Sequence, residues 1–283
     1  MIIFRDCLNE TEKTELEELT EACSQADGLR WSAPFDADLY FLFYTDAVPD
    51  RLRKASCEEE KQPQSVKPAC DLLAALCVFH MGDTKDSLPI DELIALTDPK
   101  ARRRGCFQSL LTKASPLLRP ILRFSLPKAS SGTDMPSRHF LLHIGAGFDH
   151  DEYLMERKLS PAAACDPSAA SDPSALPLRL NARDGLTEVS CRYGECFLSD
   201  WSNGVYLFGM LVYERFRGQG YGTRILRALF HRLCTQGCSR VVLEVSSDNL
   251  PAIRLYRKMG FQMIEGVSYF TMKKRASLRS RLF

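Results

Sequence analysis

Four side chains near the end of this sequence are of the types that move protons: the phenol of Tyr256 and the carboxylates of Glu214, Glu244 and Asp248. A phenol with a pKa of about 10 can give a proton to a departing base, and a carboxylate can take one from an incoming nucleophile. Close by in sequence stands RFRGQGYGTRIL, Arg215 to Leu226, with Gly218, Gly220 and Gly222 spaced two apart before an apolar run. Glycines at the start of a helix free the backbone to take unusual conformations and leave N–H groups exposed at the positive end of the helix dipole. That is a recipe for holding phosphate, although a plain tight turn uses the same residues. A P-loop is excluded because no Gly-Lys pair occurs. A dinucleotide fingerprint is met at Gly218 and Gly220, with Glu244 as its acid, but position 223 is Thr and Arg217 has no part in it.

The elements that must position these residues are legible from periodicity. VYLFGMLVY, Val205–Tyr213, reads as a strand running into the glycine loop. Ile225, Leu226, Leu229, Phe230 and Leu233 make one face of a helix leaving it. RVVLEV, Arg240–Val245, is a second short strand, and Asn249–Phe261 a second helix with Gly260 as its terminator and Asn249 able to cap it. The first half rhymes with this. IDELIALT (Ile90–Thr97) is strand-like, RRRGCF (Arg102–Phe107) opens a helix with Leu110 and Leu111, a strand follows near ILRFSL, and SRHFLLHIGAGF (Ser137–Phe148) repeats the helix and its glycine. Arg102 and Arg217 are 115 residues apart, as are Gly105 and Gly220, so the chain reads as two copies of one domain. SPAAACDPSAASDPSALP, Ser160–Pro177, is the linker between them.

Composition narrows the classes. The 283 residues suit two domains, and a net charge of +1 provides no field to draw nucleic acid or membrane. No apolar run is long enough to span a bilayer and no secretory segment opens the sequence, so a cytoplasmic location is expected. Eleven cysteines without a CxxC pair read as free thiols, and His139 with His143 lacks the glutamate of a zinc helix, so no metal is expected. Arg51–Cys70 reads as a polar loop and Lys273–Phe283 as a basic tail.

Arg217-x-x-Gly220-x-Gly222, followed by Asn249-x-x-Ala252-x-x-x-Tyr256-x-x-x-Gly260-Phe261, resembles the paired signatures of the GNAT family of N-acetyltransferases. The resemblance covers residues 178–274 closely and 1–158 more loosely. It implies an α/β fold of two tandem GNAT-like domains, each a mixed, splayed sheet flanked by helices. The expected limits are 1–158 for a degenerate first domain, 159–177 for the linker, 178–275 for the catalytic domain and 276–283 for the tail. The tandem layout is similar to that of mycothiol synthases. Acetyl-CoA is the implied co-substrate, its pantetheine on Leu211 and Val212 and its pyrophosphate on Arg217, Gly218, Gln219, Gly220, Tyr221, Gly222 and Thr223, with Asn249 a further contact. Tyr256 is implied as the acid that protonates the leaving thiolate. The implied acceptor is a small-molecule or peptide amine. A lysine-like amine costs about 4.6 kcal/mol to deprotonate at pH 7 and an α-amino group only about 1 kcal/mol, so a base matters more for the first; Glu214, Glu244 and Asp248 all stay open for that part. In the first copy Phe107 stands at the third glycine's place, where its ring is expected to crowd a pyrophosphate, and His143 stands at Tyr256's. An acyl-CoA-binding protein without catalysis is the alternative.

Overall fold

The computed structural model describes residues 1–29, 32–45, 71–82, 89–129, 136–159 and 176–274. All of the Arg51–Cys70 loop, most of the linker and nearly all of the basic tail therefore lie outside the described residues. The chain divides into two compact units, Met1–Lys128 with Gly132–Asp149 and Ser268–Phe283, and Ala129–Ser131 with His150–Val267. These units divide inside two strands, near residues 150 and 267.

Unit one is built from β1 (Ile2–Arg5), α1 (Glu10–Asp27), β2 (Leu39–Tyr44), β3 (Leu72–Met81), β4 (Ile90–Thr97), α2 (Cys106–Ala114), β5 (Ile121–Ala129) and α3 (Pro136–His143), completed by the end of β12 (Gln262–Lys273). Its sheet runs β1-β2-β3-β4-β5-β12. β1 to β4 are antiparallel and β4 and β5 parallel. LLAALCVFHM in β3 is apolar without alternation because both of its faces are covered. Ala74, Leu76 and Val78 join α2 and α3 in one core, whereas Ala75 and Cys77 join Leu16, Leu19 and Cys23 of α1 in the other. α1 begins with a capping box, Asn9 Oδ1 accepting from the Glu12 N–H at 2.9 Å and Glu12 Oε2 from the Asn9 N–H at 3.1 Å, and ends at Gly28 with φ 65°.

Unit two contains most of β6 (Gly147–Lys158), then β7 (Arg179–Arg183), β8 (Leu186–Cys191), β9 (Gly194–Trp201), β10 (Gly204–Val212), α4 (Tyr221–Thr235), β11 (Arg240–Ser246) and α5 (Leu250–Lys258). Its strand order is β6-β11-β10-β9-β8-β7. β10 and β11 are parallel, and the other neighbours with a register are antiparallel. Both units are thus α/β, with mixed sheets and flanking helices. The five residues expected on the helix face, Ile225, Leu226, Leu229, Phe230 and Leu233, are the buried ones of α4. Here one core suffices, since α4 and α5 cover one face and β7, β8 and β9 follow one another without an intervening helix. Among the described residues no helix is long and apolar enough to cross a membrane, and the eight described cysteines are free.

Candidate active site

β10 and β11 share only two registered pairs, Val205 with Val241 and Tyr206 with Val242, before they part. β11 continues against β6 through Ser246, and β10 continues against β9 through Val212, so a gap opens between the two parallel strands. β10 carries a bulge between Phe208 and Leu211, where Gly209 has φ 59° and an added Cβ would lie 2.8 Å from the Phe197 ring. β4 pairs with β3 without interruption, so the first unit lacks this bulge.

Beyond the bulge the backbone groups alternate. A Cβ on Gly194 would sit 2.1 Å from the Leu211 carbonyl oxygen, and the Tyr213 N–H donates to the Tyr193 carbonyl at 3.0 Å. Leu211 and Tyr213 therefore address β9, and the N–H of Val212 between them faces the gap. Of the two residues expected to meet pantetheine, Val212 turns its N–H to the gap and Leu211 turns its backbone to β9.

The chain leaves β10 through a 3₁₀ turn at Glu214–Phe216 and enters the glycine loop. Gly218 and Gly220 have φ 74° and 81°, and a Cβ on either would meet no atom within 4 Å. They are glycine for backbone conformation, since other residues are strained there. Gly222 has a different reason: its Cβ would approach Leu255 Cδ2 at 3.0 Å and Val212 Cγ2 at 3.6 Å, so its small size lets α4 lie against α5 and the strand end. The N–H groups of Gly218, Gln219, Gly220, Tyr221, Gly222 and Thr223 have no acceptor among the described residues, and Gly220 caps α4 with no side chain. Six donors at the start of α4 are thus left without a protein acceptor among the described residues, at the positive end of the helix dipole.

Arg217 does not reach out of this loop. Its Nε donates to the Val212 carbonyl at 3.0 Å and ties the loop to the strand end. Gln219 likewise folds back, Nε2 to the Arg215 carbonyl at 2.9 Å. Tyr221 stacks on Tyr193 at 4.0 Å with Phe216 edge-on, a cluster that periodicity does not reveal because its members lie on three elements. Asn249 caps α5, Oδ1 accepting from the Ala252 N–H at 3.3 Å.

Tyr256 is 7% exposed, edge-on to Phe261, and its hydroxyl has no hydrogen bond among the described residues. Burial, with the Cys196 thiol as a smaller cause, pushes its phenol up to about 12. Among the three carboxylates, Glu214 and Asp248 are exposed at turns. Glu244 stands on β11 where the strands part, and its Oε2 accepts from the Tyr206 hydroxyl at 3.0 Å. Burial first, then this bond, pushes the Tyr206 phenol up to about 12.

The first unit repeats the frame at the same offset. Arg102 Nε donates to the Thr97 carbonyl at 3.3 Å as Arg217 does to Val212, and Arg103 and Gly105 hold φ 62° and 77° where Gly218 and Gly220 hold theirs. There, however, Arg102 is also clasped by both Asp27 oxygens at 2.7 and 2.8 Å. Phe107 is a correction to expectation: its ring turns inward onto Phe140 and Phe124, at 5.2 and 6.5 Å, because this position faces the interior as Gly222 does, and not the loop. His143, in the place of Tyr256, is exposed.

A parting parallel strand pair, a bulge and a six-donor helix entrance define a GNAT-type architecture, and comparison with known proteins agrees. Residues 189–261 match the acetyltransferase (GNAT) family model. Over 65 residues it is 40% identical to a spermine/spermidine N(1)-acetyltransferase of Bacillus subtilis, covering 22% of this chain and 43% of that protein. Over 61 residues it is 38% identical to a mycothiol acetyltransferase of Corynebacterium aurimucosum, covering 22% and 19%. The chain spans less than half the length of these curated relatives. Among solved structures, a tandem GNAT protein from the clavulanic acid biosynthesis pathway aligns with a TM-score of 0.63 at 15% identity, over 98% of this chain and all of that one. A GCN5-related N-acetyltransferase from Sphaerobacter thermophilus aligns at 0.59 and 14%, over 98% and 96%. These likenesses show a fold shared along nearly the whole chain.

Proposed function

We propose that the protein is an acetyl-CoA-dependent N-acetyltransferase that works in its second unit and acetylates an amine. The observation that carries this reading is the gap between β10 and β11, followed by a loop, Gly218–Thr223, whose six N–H groups have no acceptor among the described residues. Those donors suit the pyrophosphate of coenzyme A, and the Val212 N–H suits a pantetheine carbonyl. The acyl group comes from the thioester. Glu244 takes a proton from the acceptor ammonium, the amine nitrogen forms its bond to the acyl carbon, the carbon–sulfur bond breaks, and the second proton shed by the acylated nitrogen goes to the departing sulfur. Tyr256 faces the resulting thiolate as a hydrogen-bond donor. With its phenol at about 12 against a thiol near 8.5, complete transfer would be uphill by about 5 kcal/mol, so donation without transfer is the role that burial permits. The first unit, with an uninterrupted β4 and an arginine held by Asp27, is assigned a structural part. The names of the relatives favour an amine on a small molecule as acceptor.

Isothermal titration with acetyl-CoA tests the reading. One site per chain, lost in Gly220→Glu, is expected; absence of binding at millimolar ligand, or binding that survives the substitution, would refute it.

A further inference from the structure

The two units differ in how their sheets are covered. α1 closes the second face of unit one, burying Leu16, Leu19 and Cys23 against β3. Unit two has no such helix, and the face of β8, β9 and β10 away from α4 and α5 is open among the described residues. Large apolar side chains stand on it: Trp201 is 40% exposed, Phe208 37%, Leu186 39% and Leu211 38%. Four rings form a continuous strip, Phe197 to Phe208 at 5.7 Å, Phe208 to Tyr206 at 5.8 Å and Tyr206 to Trp201 at 5.5 Å, with planes within 30° of parallel.

The ends of this strip are acidic. Glu188 is registered with Phe197, and Phe197 with Phe208, so all three share one face and one row across β8, β9 and β10. On β11 Glu244 lies two residues past the last parallel pair, where the strands have parted, and accepts from the Tyr206 hydroxyl. Carboxylate, ring and ring therefore lie in one row across three paired strands, with the second carboxylate on β11 across the gap. At about 4.8 Å per paired strand Glu188 and Phe208 stand roughly 10 Å apart, and Glu244 lies at least one further spacing away. No lysine, arginine or histidine among the described residues pairs with Glu188 or Glu244, and none stacks on the four rings. By contrast the neighbouring Tyr193, Phe216 and Tyr221 each carry an arginine.

We infer that this open face is the acceptor site and that its occupant is a linear aliphatic amine with a positive charge at each end. One end lies at Glu244, at the mouth of the gap where acyl transfer occurs; the chain lies across Phe208 and Phe197; the far ammonium meets Glu188. Rings attract ammonium groups through their electron-rich faces and methylenes through apolar contact, so the same strip suits both parts of such a molecule. A monoamine makes only half of these contacts. The inference rests on the acetyltransferase reading only for which end reacts.

The test is a titration of the full chain, without coenzyme, with 1,10-diaminodecane and with 10-amino-1-decanol. The diamine is expected to bind more tightly, and Glu188→Gln to weaken the diamine about fivefold while leaving the amino alcohol unchanged. Asp200→Asn, on the opposite face of β9, is expected to alter neither. Equal affinity for the two ligands, no binding of the diamine, or a Glu188→Gln effect shared by both ligands overturns the inference. Because no acetyl-CoA is present, a failure here is separate from a failure of the coenzyme titration.

Discussion

Replacing Tyr256 by Phe separates donation from proton transfer. The hydroxyl has no hydrogen bond among the described residues, and the ring lies in the core of unit two against Phe261, so the substitution removes one oxygen and keeps the packing. The thermal midpoint is expected to stay within about 2 °C of the parent, since no buried partner is left unpaired. Catalysis responds otherwise. A hydrogen bond to a charged acceptor contributes about 1.5–3 kcal/mol, which for a thiolate forming in the transition state corresponds to a loss of about 10- to 150-fold in kcat. The assay is release of free thiol from acetyl-CoA with 1,10-diaminodecane as acceptor, run from pH 6 to pH 10. Because the phenol sits at about 12, it stays protonated across this range, and the parent and variant profiles should have the same shape. Unchanged kcat would refute the donor role. An alkaline limb below pH 10 that vanishes in the variant would refute the effect assigned to burial.

Gly220→Ala is expected to cost about 1–2 kcal/mol of stability through its positive φ alone, measured by urea unfolding, as no atom is in its way. Gly194→Ala is expected to cost more, because its Cβ would meet the Leu211 oxygen at 2.1 Å and force β9 from β10. Arg102→Ala should cost up to about 1 kcal/mol, its Asp27 pair being partly exposed, and leave acetyl-CoA affinity unchanged, whereas Arg217→Ala should loosen the loop and weaken that affinity in calorimetry. Tyr256 and Tyr206 have phenols raised to about 12 from an unfolded value near 10, so their contribution to stability is complete below pH 10 and lost as pH rises through 12; chemical denaturation from pH 9 to 12 checks this.

Much of the frame of unit two can be read in the sequence because its signals are local. The β-branched content of Arg240–Val245, the helical stripe from Ile225 to Leu233 and the stop at Gly260 each depend on neighbours a few residues away. The same holds for Ile90–Thr97, whose expected limits are those of β4. What local signals cannot carry is partner choice. Nothing in Gly147–Lys158 says that its second half lies beside β11, nor in Gln262–Lys273 that its end lies in unit one. The reasons for individual glycines are also hidden: Gly218 and Gly222 look alike in sequence, yet one is needed for its dihedral angle and the other for its size. The open aromatic face escaped for a related cause, since Phe197, Phe208, Tyr206 and Glu188 become neighbours only through strand register.

The membership of Ser268–Lys273 in unit one sets an order of events during synthesis. β5 is complete at Ala129, but its neighbour in the sheet, β12, is made only at the far end of the second unit. On a ribosome adding about 5–20 residues per second, the interval between Asp149 and Ser268 lasts roughly 6–24 s. Through that time the nascent first unit holds β5 as a bare edge, able to pair with any other strand in reach. A ribosome stalled between the two units would therefore present an unpaired strand edge until the last strand arrives.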